Sequence, residues 1–157
     1  MLTPAQLQTL KADIAASEFS SYPNDANANF EIAAAYNLTA SPDFIVWKTA
    51  IPTSAVKQAV VWTEYIARSQ GERDAFVLMT ADGSVNASDA NIRQGFLDIF
   101  SGPGGATTRT NLTAISKRKA TRAEKVFASG TGSDPAPASL TFEGSLSFQD
   151  VEEARRS

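Results

Sequence analysis

The side chains in this sequence that could do chemistry are carboxylates, and few of them are arranged for it. The chain has no His and no Cys. That removes the usual zinc, haem and iron–sulfur ligands together with every His- or Cys-centred catalytic arrangement. Pairs of Asp or Glu can still carry out acid–base work. The candidates are Glu152 with Glu153, in a polar terminal helix, and Asp82 with Asp89, about a polar turn. Neither pair has the apolar setting that raises a carboxyl pKa, so no catalytic residue is assigned and no enzyme is expected. Asp82-Gly83-Ser84-Val85-Asn86 offers oxygens for calcium but no closing bidentate Glu, so neither a metal nor a cofactor is expected. Gly102-Pro103-Gly104-Gly105 ahead of Ala106-Thr107-Thr108 resembles a phosphate loop, because amides before a helix hold anions. It lacks the Gly-Lys-Ser/Thr ending and reads as a helix-to-helix turn.

Charge is the other possible source of function. The net charge of -3 conceals segregation: residues 1–100 hold six basic and eleven acidic side chains, 101–125 six and one, and 126–157 two and five. The basic stretch is Arg109, Lys117, Arg118, Lys119, Arg122 and Lys125, a phosphate-contacting patch by residue type. Against a nucleic-acid role stand the sequence pI of about 4.9 and the lack of interleaved aromatics for base stacking. A solvated face, or a surface answering the acidic remainder of a neighbouring copy, is the plainer reading. Trp47 and Trp62 are of the type enriched at interaction hot spots. The simpler assignment makes them core anchors of the middle helices.

The elements that must position these groups read as helices. At 157 residues the chain is about one domain long, and a hydrophobic share of 43% is ordinary for a folded domain. Thr3 as N-cap, Pro4 at N1 and Gln6 at N3 form a capping box, with Leu2 and Leu7 as a hydrophobic staple. Leu7, Leu10 and Ile14 then share one face of a helix running to about Ser17. Asn24 or Asp25 can cap a second helix that buries Phe30 and Ile32 or their neighbours. Ser41-Pro42 repeats the cap-then-proline pattern, so Phe44-Ile45-Val46-Trp47 is expected as a short helix, although four apolar residues in a row also suit a buried strand. A third helix is expected from Thr53 or Ser54 to about Ser69, punctuated by Gly71. A further helix carries Ile92, Phe96, Leu97, Ile99 and Phe100 and stops before Gly102. Thr107–Ser116 follows as helix, and Thr121 with Glu124 forms another capping box. No apolar stretch of about 18 residues and no export signal is seen, so neither a membrane span nor secretion is expected.

The expected architecture is therefore mainly α: a helical bundle over 1–130, then a linker and C-terminal docking arm over 131–157. The linker is Gly130-Thr131-Gly132-Ser133-Asp134-Pro135-Ala136-Pro137-Ala138, small, polar and proline-punctuated. Beyond it the arm has a short alternating segment and a last helix capped near Ser147. Leu140, Phe142, Leu146 and Phe148 need an apolar surface, either on the arm's own domain or on a partner.

Three blocks of the sequence resemble a family of small proteins encoded among the head and tail genes of tailed bacteriophages. They are Met1-Leu2-Thr3-Pro4-Ala5-Gln6-Leu7 leading to Pro23-Asn24; Ser41-Pro42 with Phe44-Ile45-Val46-Trp47-Lys48-Thr49 and Ile51-Pro52; and Ala120-Thr121-Arg122-Ala123-Glu124-Lys125-Val126 through to Leu140-Thr141-Phe142-Glu143-Gly144 and Ser147-Phe148-Gln149-Asp150-Val151. In size and helical character the chain looks like the head-to-tail adaptor, the ring beneath the portal that connects it to the tail or nozzle. The resemblance implies a homo-oligomeric ring, twelve-fold as adaptors are, with the portal protein and a tail or nozzle protein as partners. It also implies a C-terminal arm that grips the portal, a place in the virion after assembly in the host cytoplasm, DNA at most passing through the lumen, and no catalysis. Leu140, Phe142, Leu146 and Phe148 would then be arm contacts, with Arg118, Lys119 and Arg122 at an inter-subunit or portal surface. Two rivals remain open: another morphogenesis protein, tail-completion or capsid-associated, and a DNA-associated protein using 109–125.

Overall fold

The structure of the chain, a computed structural model, describes residues 1–157 and is mainly α-helical. Its helices are α1 (Pro4–Ala15), α2 (Ala26–Tyr36), α3 (Thr53–Ala59), α4 (Trp62–Ile66), α5 (Gln70–Met79), α6 (Ala90–Ile99), α7 (Ala106–Ile115), α8 (Arg122–Phe127) and α9 (Phe148–Arg156). Six short strands accompany them: β1 (Ile45–Trp47), β2 (Ile51–Pro52), β3 (Ser84–Val85), β4 (Lys117–Lys119), β5 (Ala128–Ser129) and β6 (Ser139–Leu140). The chain folds as two compact units. Unit 1 takes Met1–Val46 and Lys119–Ser157, and unit 2 the intervening Trp47–Arg118. The division expected at 130/131 falls inside unit 1, because the segment beyond it supplies core to that unit.

In unit 1 the local signals act as read. Thr3 and Gln6 close their capping box on α1, Asp25 caps α2 through the Ala28 amide, and Thr121 with Glu124 opens α8. A further box, Ser147 with Asp150, opens α9. The core joins Leu7, Leu10 and Ile14 of α1, Ile32 and Tyr36 of α2, Ala123 and Phe127 of α8, and Val151 and Ala154 of α9. Phe30 does not join it: at 63% exposure it lies on the outer face of α2. The expected helix over 44–47 is a strand instead. Ile45 donates its N–H to the Gly132 carbonyl (2.7 Å), and the Ala138 N–H donates to Ile45 (2.9 Å). Backbone partners far along the chain thus replace the i, i-4 bonds of a helix, and the β-branched Ile45-Val46 pair suits the extended form. Gly132 has φ +66° and a Cβ there would lie 2.1 Å from the Phe44 ring, so this crossing of the linker over β1 requires glycine.

Unit 2 is built around Phe76, Phe96 and Phe100, whose rings meet edge to face at 5.8–6.1 Å, with Val56, Ile51 and Leu112 beside them. Strands β2 and β3 pair antiparallel, Ile51 opposite Val85. Near the unit's two ends, Lys48 donates its N–H to the Ser116 carbonyl at 2.9 Å. Gly102-Pro103-Gly104-Gly105 forms the tight connection between α6 and α7, as expected of a helix-to-helix turn. Two readings are corrected. The helix expected from Thr53 to Ser69 breaks at Val60 and Val61 into α3 and α4. Val60 is extended (ψ 128°), and the Val61 N–H goes to the Thr108 hydroxyl (3.0 Å) rather than to a carbonyl one turn back. Gly71 does not end a helix either, but lies in the first turn of α5, which Ser69 and Glu72 open with a capping box.

The start of α7 has no cap from its own sequence. Its Thr107 and Thr108 amides donate instead to the Glu64 carboxylate of α4, at 3.2 and 2.8 Å. An anion at a helix N-terminus is favoured by the free amides and the helix dipole. The Thr108 hydrogen bonds, foremost, hold the Glu64 carboxyl below the ordinary range. A group with a lowered folded pKa adds stability that is present above its unfolded value, near 4.5, and is lost as pH falls through the folded one. Glu64→Gln is therefore expected to lower the melting temperature at pH 7 and to shrink the drop between pH 5 and pH 3. Thermal melts across that range check both.

Candidate interaction surfaces

The fold redistributes the charge. Unit 1 carries six basic and eleven acidic residues, for -5, and unit 2 eight and six, for +2. The basic stretch 109–125 is divided between them: Arg109, Lys117 and Arg118 fall in unit 2, and Lys119, Arg122 and Lys125 in unit 1. Of the three cations expected at a partner surface, Arg118 is half-buried in β4 and has contacts of its own. Lys119 pairs with Asp43 at 2.7 Å, both side chains more than half exposed, an arrangement worth little in water.

Arg122 is committed within the unit. Its Nη1 and Nη2 meet both oxygens of Glu18, at 2.5 and 3.2 Å, and its guanidinium lies 4.3 Å from the centre of the Tyr36 ring. The two-point contact is the geometry in which arginine binds a carboxylate best. The bond to Arg122 lowers the Glu18 carboxyl, and the bond to Glu18 raises the Arg122 guanidinium. Beneath them the Tyr36 hydroxyl donates to Asp13. Burial, reinforced by that acceptor, pushes the phenol well above its usual range. Arg122 thus caps a buried tyrosine rather than standing out as a docking cation.

The arm residues are held on their own unit. Leu140 is half-buried beside Val46 and Ala138, and Phe142 packs edge to face on Phe127 at 5.1 Å. Leu146 is buried, and its backbone is gripped at two points by one side chain: Asn37 Nδ2 donates to its carbonyl (2.9 Å) and its N–H donates to Asn37 Oδ1 (2.8 Å). Farther on, Arg155 donates to the Pro23 carbonyl and to the buried Asn29 (2.9 and 2.7 Å). Phe148 stacks on Phe30 at 5.5 Å, and Phe30 is largely exposed. Asn37→Ala leaves both Leu146 backbone groups without their partner, so a loss of about 2 kcal/mol is expected. Urea unfolding followed by circular dichroism measures it. Asn37→Asp, which can accept but not donate, should fall in between.

Of the two readings open for Trp62, interaction hot spot or core anchor, the structure places it on an exposed apolar face. Trp62 is 68% exposed and lies 5.3 Å from the Tyr65 ring, with Ile66 and Val77 more than half exposed. Trp62, Tyr65 and Val77 border a groove of about 450 Å3 with Phe76 on its wall and Lys57 beside it. Trp62 is thus no core anchor. Trp47, by contrast, is half-buried under Arg93 (4.3 Å). The core-anchor reading assumed one helix through 53–69, which the extended Val60 and Val61 interrupt.

No group of three or more His, Cys, Asp or Glu side chains is placed to hold a metal ion, and no helix is long and apolar enough to cross a membrane. Compared with protein-family models, with curated proteins and with solved structures, the chain matches none.

Proposed function

We propose that this chain is a structural virion protein of the tailed-phage head–tail junction, an adaptor-ring subunit joining the portal to the tail or nozzle. The observation that carries this reading is the pairing of an acidic unit 1 (-5) with a basic unit 2 (+2) in one chain. A ring subunit meets its neighbours through two different surfaces, and opposite charge on two units supports such a heterologous contact. The exposed apolar groups, Phe30 stacked on the half-buried Phe148 of unit 1 and Trp62 with Ile66 on unit 2, are the sort of anchors that interfaces bury. On this reading Leu146 serves the subunit's own fold, and the portal grip rests on the outward part of the arm around Phe148. The three sequence blocks resembling phage head and tail proteins supply the particular assembly. The cations of 109–125 are engaged in part by carboxylates and carbonyls, which speaks for protein assembly over a DNA-contacting patch.

The test is native mass spectrometry and negative-stain microscopy of the purified chain, alone and with its cognate portal. A closed ring is expected, twelve-fold by resemblance, weakening as salt screens the charge. A monomer under both conditions, or salt-dependent DNA binding without assembly, would sink the reading. Ring symmetry unlike the portal's would favour another morphogenesis protein.

A further inference from the structure

Unit 2 holds a cavity of about 260 Å3, open on one side and lined by Val56, Phe96, Leu112 and Trp47 among others. An apolar cavity of about 150 Å3 is enough to take up benzene, so this one has room for a body of roughly two fused rings. Two arginines line it and no acidic side chain does. Arg93 is fixed by one nitrogen, Nη1, which donates to the Ala87 and Ser88 carbonyls at 2.6 and 2.9 Å while the guanidinium lies over Trp47. Arg109 is fixed likewise, its Nη1 donating to the Phe100 and Gly102 carbonyls. In both, Nε and Nη2 donate to no protein acceptor and no carboxylate pairs with the charge. Thr113 and Leu97, also on the lining, are exposed and mark the side open to solvent.

A largely apolar hollow beside two pre-positioned cations without a counter-ion favours one chemistry. Hydrocarbon gains from leaving water, a carboxylate gains charge-assisted bonds from guanidinium groups already held in place, and a cationic ligand meets only repulsion. We propose that this cavity is a binding site for a small apolar carboxylic acid, its hydrocarbon or aryl body among Val56, Phe96 and Leu112 and its carboxylate facing Arg93 and Arg109. The site lies within unit 2 and does not depend on ring assembly.

The experiment is calorimetry and amide chemical-shift mapping on the full chain with three probes of one shape: 2-naphthoate, 2-naphthalenemethanol and 2-naphthylmethylammonium. Saturable one-to-one binding of the acid is expected, about tenfold or more tighter than the alcohol, with no binding of the ammonium. Shifts should centre on Ile92, Leu112 and Ser116. Arg93→Met and Arg109→Met should each weaken the acid by about tenfold and leave the alcohol within about twofold. Arg93→Lys keeps the charge and should retain part of the affinity if the loss is electrostatic. Thr113→Trp, which fills the mouth from an exposed position, should weaken acid and alcohol together. Equal affinity for acid and alcohol, no saturable binding of either, or shifts centred elsewhere would each overturn the proposal. So would binding of an acidic aromatic peptide, acetyl-Asp-Phe-Glu-amide, in place of the naphthoate, which would make the cavity a socket for a partner's side chain.

Discussion

Cutting the chain after Leu146 is expected to abolish the cooperative unfolding of unit 1. The deletion removes α9, whose Val151 and Ala154 are fully buried, and uncovers the faces of α1 and α2 that carry Leu10, Ile14 and Ile32, all 3% exposed or less. A fully buried aliphatic side chain contributes about 1.5–3 kcal/mol, so losing one and baring parts of three others approaches the ~5–15 kcal/mol that holds a whole domain. Amide signals from residues 1–46 and 119–146 should collapse into the narrow range of an unfolded chain. The exposed Glu153→Ala is the control and should leave stability within about 0.5 kcal/mol. A truncated protein that kept native dispersion in unit 1 would show that α9 is peripheral, and would return the whole arm to the role of a detachable grip.

Gly105→Ala should be the most damaging single methyl group in unit 2. A Cβ at Gly105 would lie 2.1 Å from the Phe100 carbonyl oxygen and 2.6 Å from its carbon, so backbone rather than a movable side-chain end must give way. Phe100 is itself fully buried at the centre of the aromatic cluster. The expected cost is about 3 kcal/mol, at the upper end of overpacking effects. Both tryptophans lie in unit 2, so their fluorescence during urea unfolding reports this unit. Gly71→Ala gives the opposite sign: nothing lies within 4 Å of its Cβ position and the residue is helical, so a gain of about 0.5–1 kcal/mol is expected.

The features that could be read from the sequence are those whose partners lie a few residues away. Thr3 with Gln6 and Thr121 with Glu124 stand out because a capping box is a three-residue pattern. Where the partner is distant, the local pattern misleads. Phe44-Ile45-Val46-Trp47 has no period that separates helix from strand, and the bonds that decide for strand come from Gly132 and Ala138. The helix predicted over 53–69 is broken by a hydroxyl from Thr108, and α7 is capped by Glu64 across a gap of more than 40 residues. The candidate site divides in the same way. The arm's need for an apolar surface was legible from Leu140, Phe142 and Leu146, but that the surface is the arm's own unit depended on Asn37 and Phe127. Arg122 read as an open cation because its partner, Glu18, lies 104 residues away. Of the two arginines of the unit 2 cavity, Arg93 carried no signal and Arg109 read only as one of a basic stretch, since nothing in their spacing brings them to one hollow.

The insertion of unit 2 into unit 1 has a consequence for the order in which the chain can fold. Unit 1 cannot finish its core until Ala154 has been synthesised, since α9 closes on α1, and the two halves of that core are separated by the 72 residues from Trp47 to Arg118. Closing so long a loop while it is unstructured carries an entropy cost of roughly 4 kcal/mol by the (3/2)RT ln n rule. Unit 2 is continuous in sequence and needs nothing made after Arg118. Once folded, it draws its own ends together through the bond from Lys48 to Ser116. The ends of the long loop are then already closed, and its entropy cost no longer falls on the assembly of unit 1. Weakening unit 2, as Gly105→Ala does, should for that reason also slow the folding of a unit whose own residues are untouched.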